Sequence, residues 1–281
     1  MRVMEQESPQ DWHGPYSSCM SASPFPDVRH FAALDSTNRY LLDEARAGAP
    51  DGLVAVADHQ LAGRGRLGRR WEAPPGANLL VSVLLRPDLP LDELHLCTAA
   101  VALAALDAAR AVTGVEAELK WPNDLVVGER KLAGVLAESL LDGPEVAVVV
   151  GIGVNVAWPP PEGDSVGVDA VPDELVGLAT SLWRESGRRV PVADVLDAWL
   201  AALGPRLADL DDPDGRRLVA ADYRARCGTL GRTVRVSLPD DELLVGRVAD
   251  ITVEGHLVVD VGACLRTVTA GDVVHLRDAG S

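Results

Sequence analysis

The chain has 281 residues, enough for one large domain and a smaller second one. Hydrophobic residues make up 47% and charged residues 24%, a globular balance that excludes wholesale disorder. With Lys+Arg 26 against Asp+Glu 42 the net charge is -16, so the chain is a poor non-specific nucleic-acid binder and any polyanion site has to be a local basic patch.

Residues 1–28 are rich in Ser, Pro and Gly and lack hydrophobic periodicity, which predicts a disordered leader. Asp35-Ser36-Thr37-Asn38 then precedes Leu41, Leu42 and Ala45 on one helical face, a helix start that runs to Gly48. Leu53–Asp58 and Asn78–Leu85 are predicted as short buried strands. Glu93–Val112 is a long Ala-rich helix, with Leu94, Cys97, Val101, Ala104 and Ala105 at helical spacing. Val115–Trp121, Leu125–Val127 and Lys131–Leu140 read as strands, with a turn at Gly128-Glu129. Glu145–Val156 is an apolar strand interrupted by glycines. A Pro/Gly/Asp-rich loop at 157–172 precedes helical patterns at 173–186 and 191–210. From Thr229, short alternating runs between Pro-Asp-Asp, Glu-Gly and Ala-Gly turns predict a small β-barrel.

No apolar run is read as reaching the roughly 18 residues that span a bilayer, and no secretory signal is visible. Cys19, Cys97, Cys227 and Cys264 are far apart, without metal-ligand spacing, and read as thiols in a reducing compartment. The expected location is the cytoplasm, with no membrane partner. Only two lysines, Lys120 and Lys131, stand among the 26 basic residues, eleven positions apart, and mark that segment for inspection.

Gly63-Arg64-Gly65-Arg66-Leu67-Gly68-Arg69-Arg70-Trp71 is the most informative stretch. Its spacing matches G-x-G-x-x-G, but a dinucleotide fingerprint opens a helix, and Pro74-Pro75-Gly76 cannot continue one. A solvated basic loop is the plain alternative. Four arginines without one acid, in so acidic a chain, favour a loop that closes on a phosphate ester: glycines admit the ligand and Arg forks match phosphate oxygens. Trp71 fits either a purine stack or the core. Lys120-Trp121-Pro122-Asn123-Asp124 stands at a strand end, where an ordinary Asn-Asp turn is the rival reading. Lys131 enters the strand Leu132-Ala133-Gly134-Val135-Leu136-Ala137-Glu138 as a point charge open to an anion. Gly151-Ile152-Gly153-Val154-Asn155 serves either close strand packing or backbone access plus an Asn amide for a ligand.

In this order, S-T-N, G-R-G-R-x-G-R-x-W, K-W-P-N-D, K-L-A-G-V-L-x-E and G-I-G-V-N resemble the biotin–protein ligase family over about residues 29–278. The resemblance is to the monofunctional kind, without an N-terminal DNA-binding domain. It implies an α+β fold: a catalytic domain at 29–226 with a mixed β-sheet packed by helices (class II synthetase-like), then a small SH3-like β-barrel at 227–281, after the 1–28 leader. It also implies ATP-dependent formation of biotinyl-5′-adenylate and transfer of biotin to a lysine of the biotin carboxyl carrier domain of acyl-CoA carboxylases.

Residue by residue, the resemblance gives Lys131 and Arg66 catalytic roles. Biotin would meet Ser36, Thr37, Asn38, Gln60, Arg64, Gly65, Arg66 and Lys131; the nucleotide would meet Arg66, Arg69, Trp71, Asn123, Lys131 and Asn155. Mg²⁺ would ride on the phosphates, with Asp124 as candidate metal ligand or orienting group. Fixed cations are needed because biotin carboxylate and the ATP α-phosphate are both anionic. A free sheet edge could pair with the carrier or form a homodimer. The rivals are a lipoate ligase, which should lack this form of Arg-Gly loop, and a biotin-sensing regulator, which the acidic charge opposes.

Overall fold

The computed structural model describes residues 24–142, 145–164, 171–238 and 242–276. In chain order the elements are β1 (Asp27–Phe31), α1 (Thr37–Arg46), β2 (Leu53–Ala57), β3 (Leu79–Leu85), α2 (His95–Thr113), β4 (Glu118–Lys120), β5 (Asp124–Val127), β6 (Arg130–Asp142) and β7 (Glu145–Val154). Then follow α3 (Leu182–Ser186), α4 (Val192–Asp209), α5 (Pro213–Ala225), β8 (Thr233–Ser237), β9 (Leu243–Ile251), β10 (Leu257–Asp260), β11 (Leu265–Val268) and β12 (Asp272–His275).

A seven-stranded mixed sheet runs β1-β2-β3-β7-β6-β5-β4, with β1 and β2 parallel and the other pairs antiparallel. Its strands obey the pleat: alternate residues belong to opposite faces. Val149 and Ala147 of β7 pack with α1 on one face, while Val148, Val150 and Ile152 join α2 and α4 in the main core on the other. Helix α1 begins where expected, because Ser36 in extended conformation caps it and accepts from the Arg39 N–H. The second sheet, β11-β10-β9-β8-β12, is antiparallel and forms the C-terminal barrel. Val234, Val236, Val248 and Leu257 of this barrel belong to the same continuous apolar core as α2 and α4. The α+β class and the two-part order stand as expected.

Several expectations need correction. Residues 24–28 are not part of a leader: Phe25 is buried in the main core and Asp27 opens β1, paired in register with Leu53. The rest of that leader lies outside the described residues. The 173–186 pattern yields only a single turn at Asp173–Leu175 and the short α3, because Gly177 turns the chain at φ +76° and Ser181 caps α3 afresh. Helix α5 was not anticipated. Its sequence is polar, and among its residues only Gly215 and Val219 are buried, yet Asp212 caps it and Pro213 starts it. Leu91–Thr113 is long and apolar enough to cross a bilayer, contrary to the expectation that no run was. The run was masked by Asp107 within it, and 72% of its most apolar window is buried inside the protein, where the core consumes that surface.

Candidate active site

The motifs converge on a cavity of about 440 Å³ on the α1 face of the large sheet. All thirteen expected biotin, nucleotide and metal residues line it: Ser36, Thr37, Asn38, Gln60, Arg64, Gly65, Arg66, Arg69, Trp71, Asn123, Asp124, Lys131 and Asn155 stand around one space. They come from the start of α1, the loop after β2, the turn between β4 and β5, and strands β6 and β7.

At one end the start of α1 carries a polar cluster. Gln60 Oε1 accepts from the Thr37 N–H at 2.8 Å. Asn38 Nδ2 donates to the Leu136 carbonyl at 3.1 Å and to Glu138 Oε2 at 3.0 Å. Ser82 Oγ lies 2.7 Å from both Thr37 Oγ1 and Asn38 Oδ1 and ties them together. The first glycine of G-I-G-V-N has a plain reason here: a Cβ on Gly151 would collide with Asn38 Oδ1.

At the other end are the cations. Lys131 Nζ pairs with Asp124 Oδ1 at 2.6 Å and stands 5.5 Å from the Trp71 ring centroid. Trp71 lies against the sheet at Gly153, where a Cβ would come within 2.5 Å of the indole, so that glycine is required by the tryptophan. The Arg-Gly loop folds back on itself, with the Trp71 N–H on the Gly63 carbonyl at 3.0 Å and the Gly65 N–H on the Arg69 carbonyl at 2.7 Å. Arg66 Nη1 donates to Asn123 Oδ1 at 3.3 Å. Burial pushes the Arg66 guanidinium below its ordinary value, opposed by the charge of Asp124. It remains a cation at any working pH, since an arginine starts so high. Arg64 pairs with Glu138 at 3.5 Å, and Arg69 pairs with Asp272 of the barrel.

One expected role narrows to one of its alternatives, and another changes. Asp124 gives its carboxylate to Lys131, and among the described residues no group of three or more His, Cys, Asp or Glu could hold a metal ion. Its geometry is that of an orienting group. The Asn155 amide is spoken for: Nδ2 donates to the Thr180 carbonyl at 2.9 Å, and Oδ1 accepts from Asn78 Nδ2 at 2.9 Å. Asn155 frames the cavity and presents no free donor to it.

Sequence reasoning marked Lys120 without giving it a role, and missed Ser82, Glu138 and Asp272 as parts of the cavity or its polar frame. Ser82 carried a legible signal, as the one polar residue in seven consecutive buried positions of β3. Glu138 closes the motif that Lys131 opens. Asp272 carried none, because the partner it meets lies some two hundred residues away in sequence.

The K-W-P-N-D turn is held from outside the large sheet. The Trp121 N–H donates to Thr229 Oγ1 at 3.1 Å, and Trp121 Nε1 donates to the Gly255 carbonyl at 2.9 Å. Tyr223 of α5 donates to the Pro122 carbonyl at 3.3 Å, and burial pushes its phenol well above the ordinary range, so it stays a donor.

Comparison with known proteins gives consistent matches. Residues 30–155 match the model described as "Biotin/lipoate A/B protein ligase family", and residues 229–276 the "Biotin protein ligase C terminal domain". The chain is 41% identical over 258 residues to the biotin--[acetyl-CoA-carboxylase] ligase of Mycobacterium tuberculosis, covering 88% of each. It is 35% identical over 177 residues to the bifunctional ligase/repressor BirA of Bacillus spizizenii, covering 63% of this chain and 52% of that one. The biotin protein ligase of Aquifex aeolicus, solved in complex with biotin and ATP, superposes with a TM-score of 0.73 at 25% identity, covering 90% of this chain and all of that one.

Proposed function

Because the chain belongs to the biotin/lipoate A/B protein ligase family, as a biotin–protein ligase, we propose that it joins biotin to ATP as biotinyl-5′-adenylate and passes biotin to a carrier-domain lysine. The observation that carries this reading is one cavity with a hydrogen-bonding cluster at one end and fixed cations at the other. Biotin has the same polarity: a ureido ring with one acceptor and two donors, an apolar middle and a carboxylate.

The ureido ring is assigned to the α1 end, where Thr37, Asn38 and Gln60 are already bonded in place and Ser82 stiffens them. Such a site rejects analogues that lack those groups by about 10⁴-fold. Ser36 shapes it as the cap of α1. The carboxylate then reaches Lys131, with Arg64, Gly65 and Arg66 above it. Arg69, Trp71 and Asn123 receive the nucleotide, and Arg69 leaves Asp272 for phosphate.

In the first step a biotin carboxylate oxygen attacks the α-phosphorus, and pyrophosphate leaves with the electron pair of the broken P–O bond. Both partners are anionic, so Lys131 and Arg66 act by lowering their repulsion as they meet. Asp124 fixes the Lys131 ammonium in that position. In the second step a neutral lysine amine attacks the biotinyl carbonyl. A C–N bond forms, the C–O bond to phosphate breaks, AMP leaves with the electron pair and the amine proton passes to water.

Mg²⁺ enters as part of the Mg–ATP substrate, since a single carboxylate already bound to lysine does not fit a resident metal. The acceptor is the biotin carrier domain of an acyl-CoA carboxylase. ATP chemistry and unpaired Cys97, Cys227 and Cys264 support a cytoplasmic location. The charge of -16 disfavours nucleic acid. Beyond Gly134, β6 has left β5 behind, and its open edge suits a carrier strand or a second copy.

The test is labelled biotin with ATP and Mg²⁺, with and without a carrier domain. Pyrophosphate release and label on the carrier lysine are expected. Tight adenylate binding without label transfer points instead to a ligand-sensing protein, and the absence of both results overturns both readings.

A further inference from the structure

Arg66 and Asn123 line two cavities. The second, of about 340 Å³, lies between the start of α2, helix α5 and the barrel turn around Gly255. Its walls are largely apolar, with Leu96, Ala99, Trp121, Val135, Ala220 and Ile251 among them. His95, His256 and Glu254 also border it, and burial pushes the His95 imidazole down, so His95 is neutral at pH 7.

The relation between the two cavities follows from the pleat of β6. Gly134 belongs to the active-site cavity alone and Ala137 to the second chamber alone, while Val135 and Leu136 between them border both. The chambers therefore lie on opposite faces of one strand, at the place where that strand loses a neighbour. The last pair between β5 and β6 is Asp124 with Gly134, and among the described residues β7 is the only strand beside β6 from Leu136 to Asp142. An extended segment laid along that edge sends successive side chains to opposite faces. When its lysine points into the active-site cavity, the residue next to it points to the other face.

We propose that the second chamber is an acceptor subsite, which seats an uncharged apolar side chain adjacent to the acceptor lysine. The proposal rests on the ligase reading and adds a substrate-recognition site to it. The chamber offers apolar walls on α2, α5 and the barrel, and its two charged lining residues, Arg66 and Glu254, are of opposite sign, so the chamber favours neither a cation nor an anion by net charge. It is closed on the barrel side by Gly255, held to Trp121, so both domains shape it.

Transfer kinetics test this with a biotin carrier domain whose residues on either side of the acceptor lysine are set in turn to Leu and to Ser. At one of the two positions Ser is expected to raise the acceptor KM about 10-fold over Leu, the scale of one lost apolar contact. Ala220→Trp, a half-buried position on α5, should fill the chamber, raise the acceptor KM and abolish the Leu-over-Ser preference. Pyrophosphate release from biotin and ATP should stay unchanged. Ala137→Trp, at an exposed position on β6, repeats the test without risk to the core. Unchanged acceptor KM and an unchanged preference in both variants overturn the subsite while leaving the ligase reading intact. Absence of pyrophosphate release from the unsubstituted protein overturns the ligase reading itself, and the subsite with it.

Discussion

In the proposed reaction Lys131 and Arg66 divide the electrostatic work, and their surroundings suggest different shares for each. Lys131 is a compact ammonium clasped by Asp124 at 2.6 Å beside Gly134, where even a Cβ would come within 3.0 Å of it. Lys131→Ala is expected to lower the rate of pyrophosphate release about 10²-fold or more, while calorimetry shows biotin affinity changed far less, because the charge matters most in the transition state. Lys131→Arg should not rescue fully, since a planar fork does not fit that slot. Arg66 stands in the Arg-Gly loop, reaches Asn123 and is proposed to hold the adenylate. A charged hydrogen bond to phosphate contributes about 1.5–3 kcal/mol, so Arg66→Gly should speed adenylate escape roughly 10- to 100-fold. The measurement is biotin label on bystander lysines of an unrelated protein; label confined to the carrier would refute that role.

At the scale of elements, the first residues after 23 decide how much of the N-terminus is dispensable. Phe25 fills the core, and a Cβ on Gly52 would collide with the Pro24 carbonyl, so this segment packs closely on the turn before β2. A chain starting at Pro24 should keep its melting temperature and activity, and one starting at Val28 should lose both. Phe25→Ala should cost about 3 kcal/mol in urea unfolding. Three helices meet at Asp107 of α2, which accepts from Arg206 of α4 and from Arg226 just after α5, each at 2.6 Å. Burial pushes this carboxyl up, but the bonds from Arg226 and Arg206 outweigh it and its pKa is lowered overall. A lowered carboxyl stabilises the fold above its unfolded pKa, and that stabilisation is lost as pH falls through the folded value. Asp107→Asn should therefore cost about 1 kcal/mol at pH 7, discounted for the group's partial exposure, with the difference from the parent vanishing in acid. Equal melting curves at pH 7 would count against it.

The whole molecule is a large sheet whose active site is completed by its smaller neighbour. The barrel supplies Asp272 and Val273 to the cavity and holds Trp121 through Thr229 and Gly255. Gly255 sits at φ +77°, and an added Cβ would come within 2.7 Å of His95 Cδ2. Gly255→Ala is expected to cost about 1–2 kcal/mol from the left-handed backbone alone. By shifting the carbonyl that Trp121 uses, it should also raise the KM for ATP. A melting shift with unchanged adenylation kinetics would show that the barrel serves stability only.

The residues themselves determined a good deal. Glycine, arginine and lysine at fixed spacings named the cavity's lining, because backbone access and fixed positive charge are demands that local sequence displays. The helix starting at Ser36, the buried strands and the barrel's alternation were legible for the same reason: capping and period are local. What tertiary structure alone decided were the pairings between distant segments. Asn155 looked like a ligand donor until Thr180 and Asn78 were seen to use its amide. Asp124 fitted either a metal ligand or a group orienting a base until Lys131 was found beside it. The role of Asp272 could not be read locally, nor could that of helix α5, whose polar face hides the Tyr223 contact to the active-site turn. Hydrogen bonds and ion pairs reach only about 3–4 Å, so which polar group meets which is settled by how the chain brings its distant parts together.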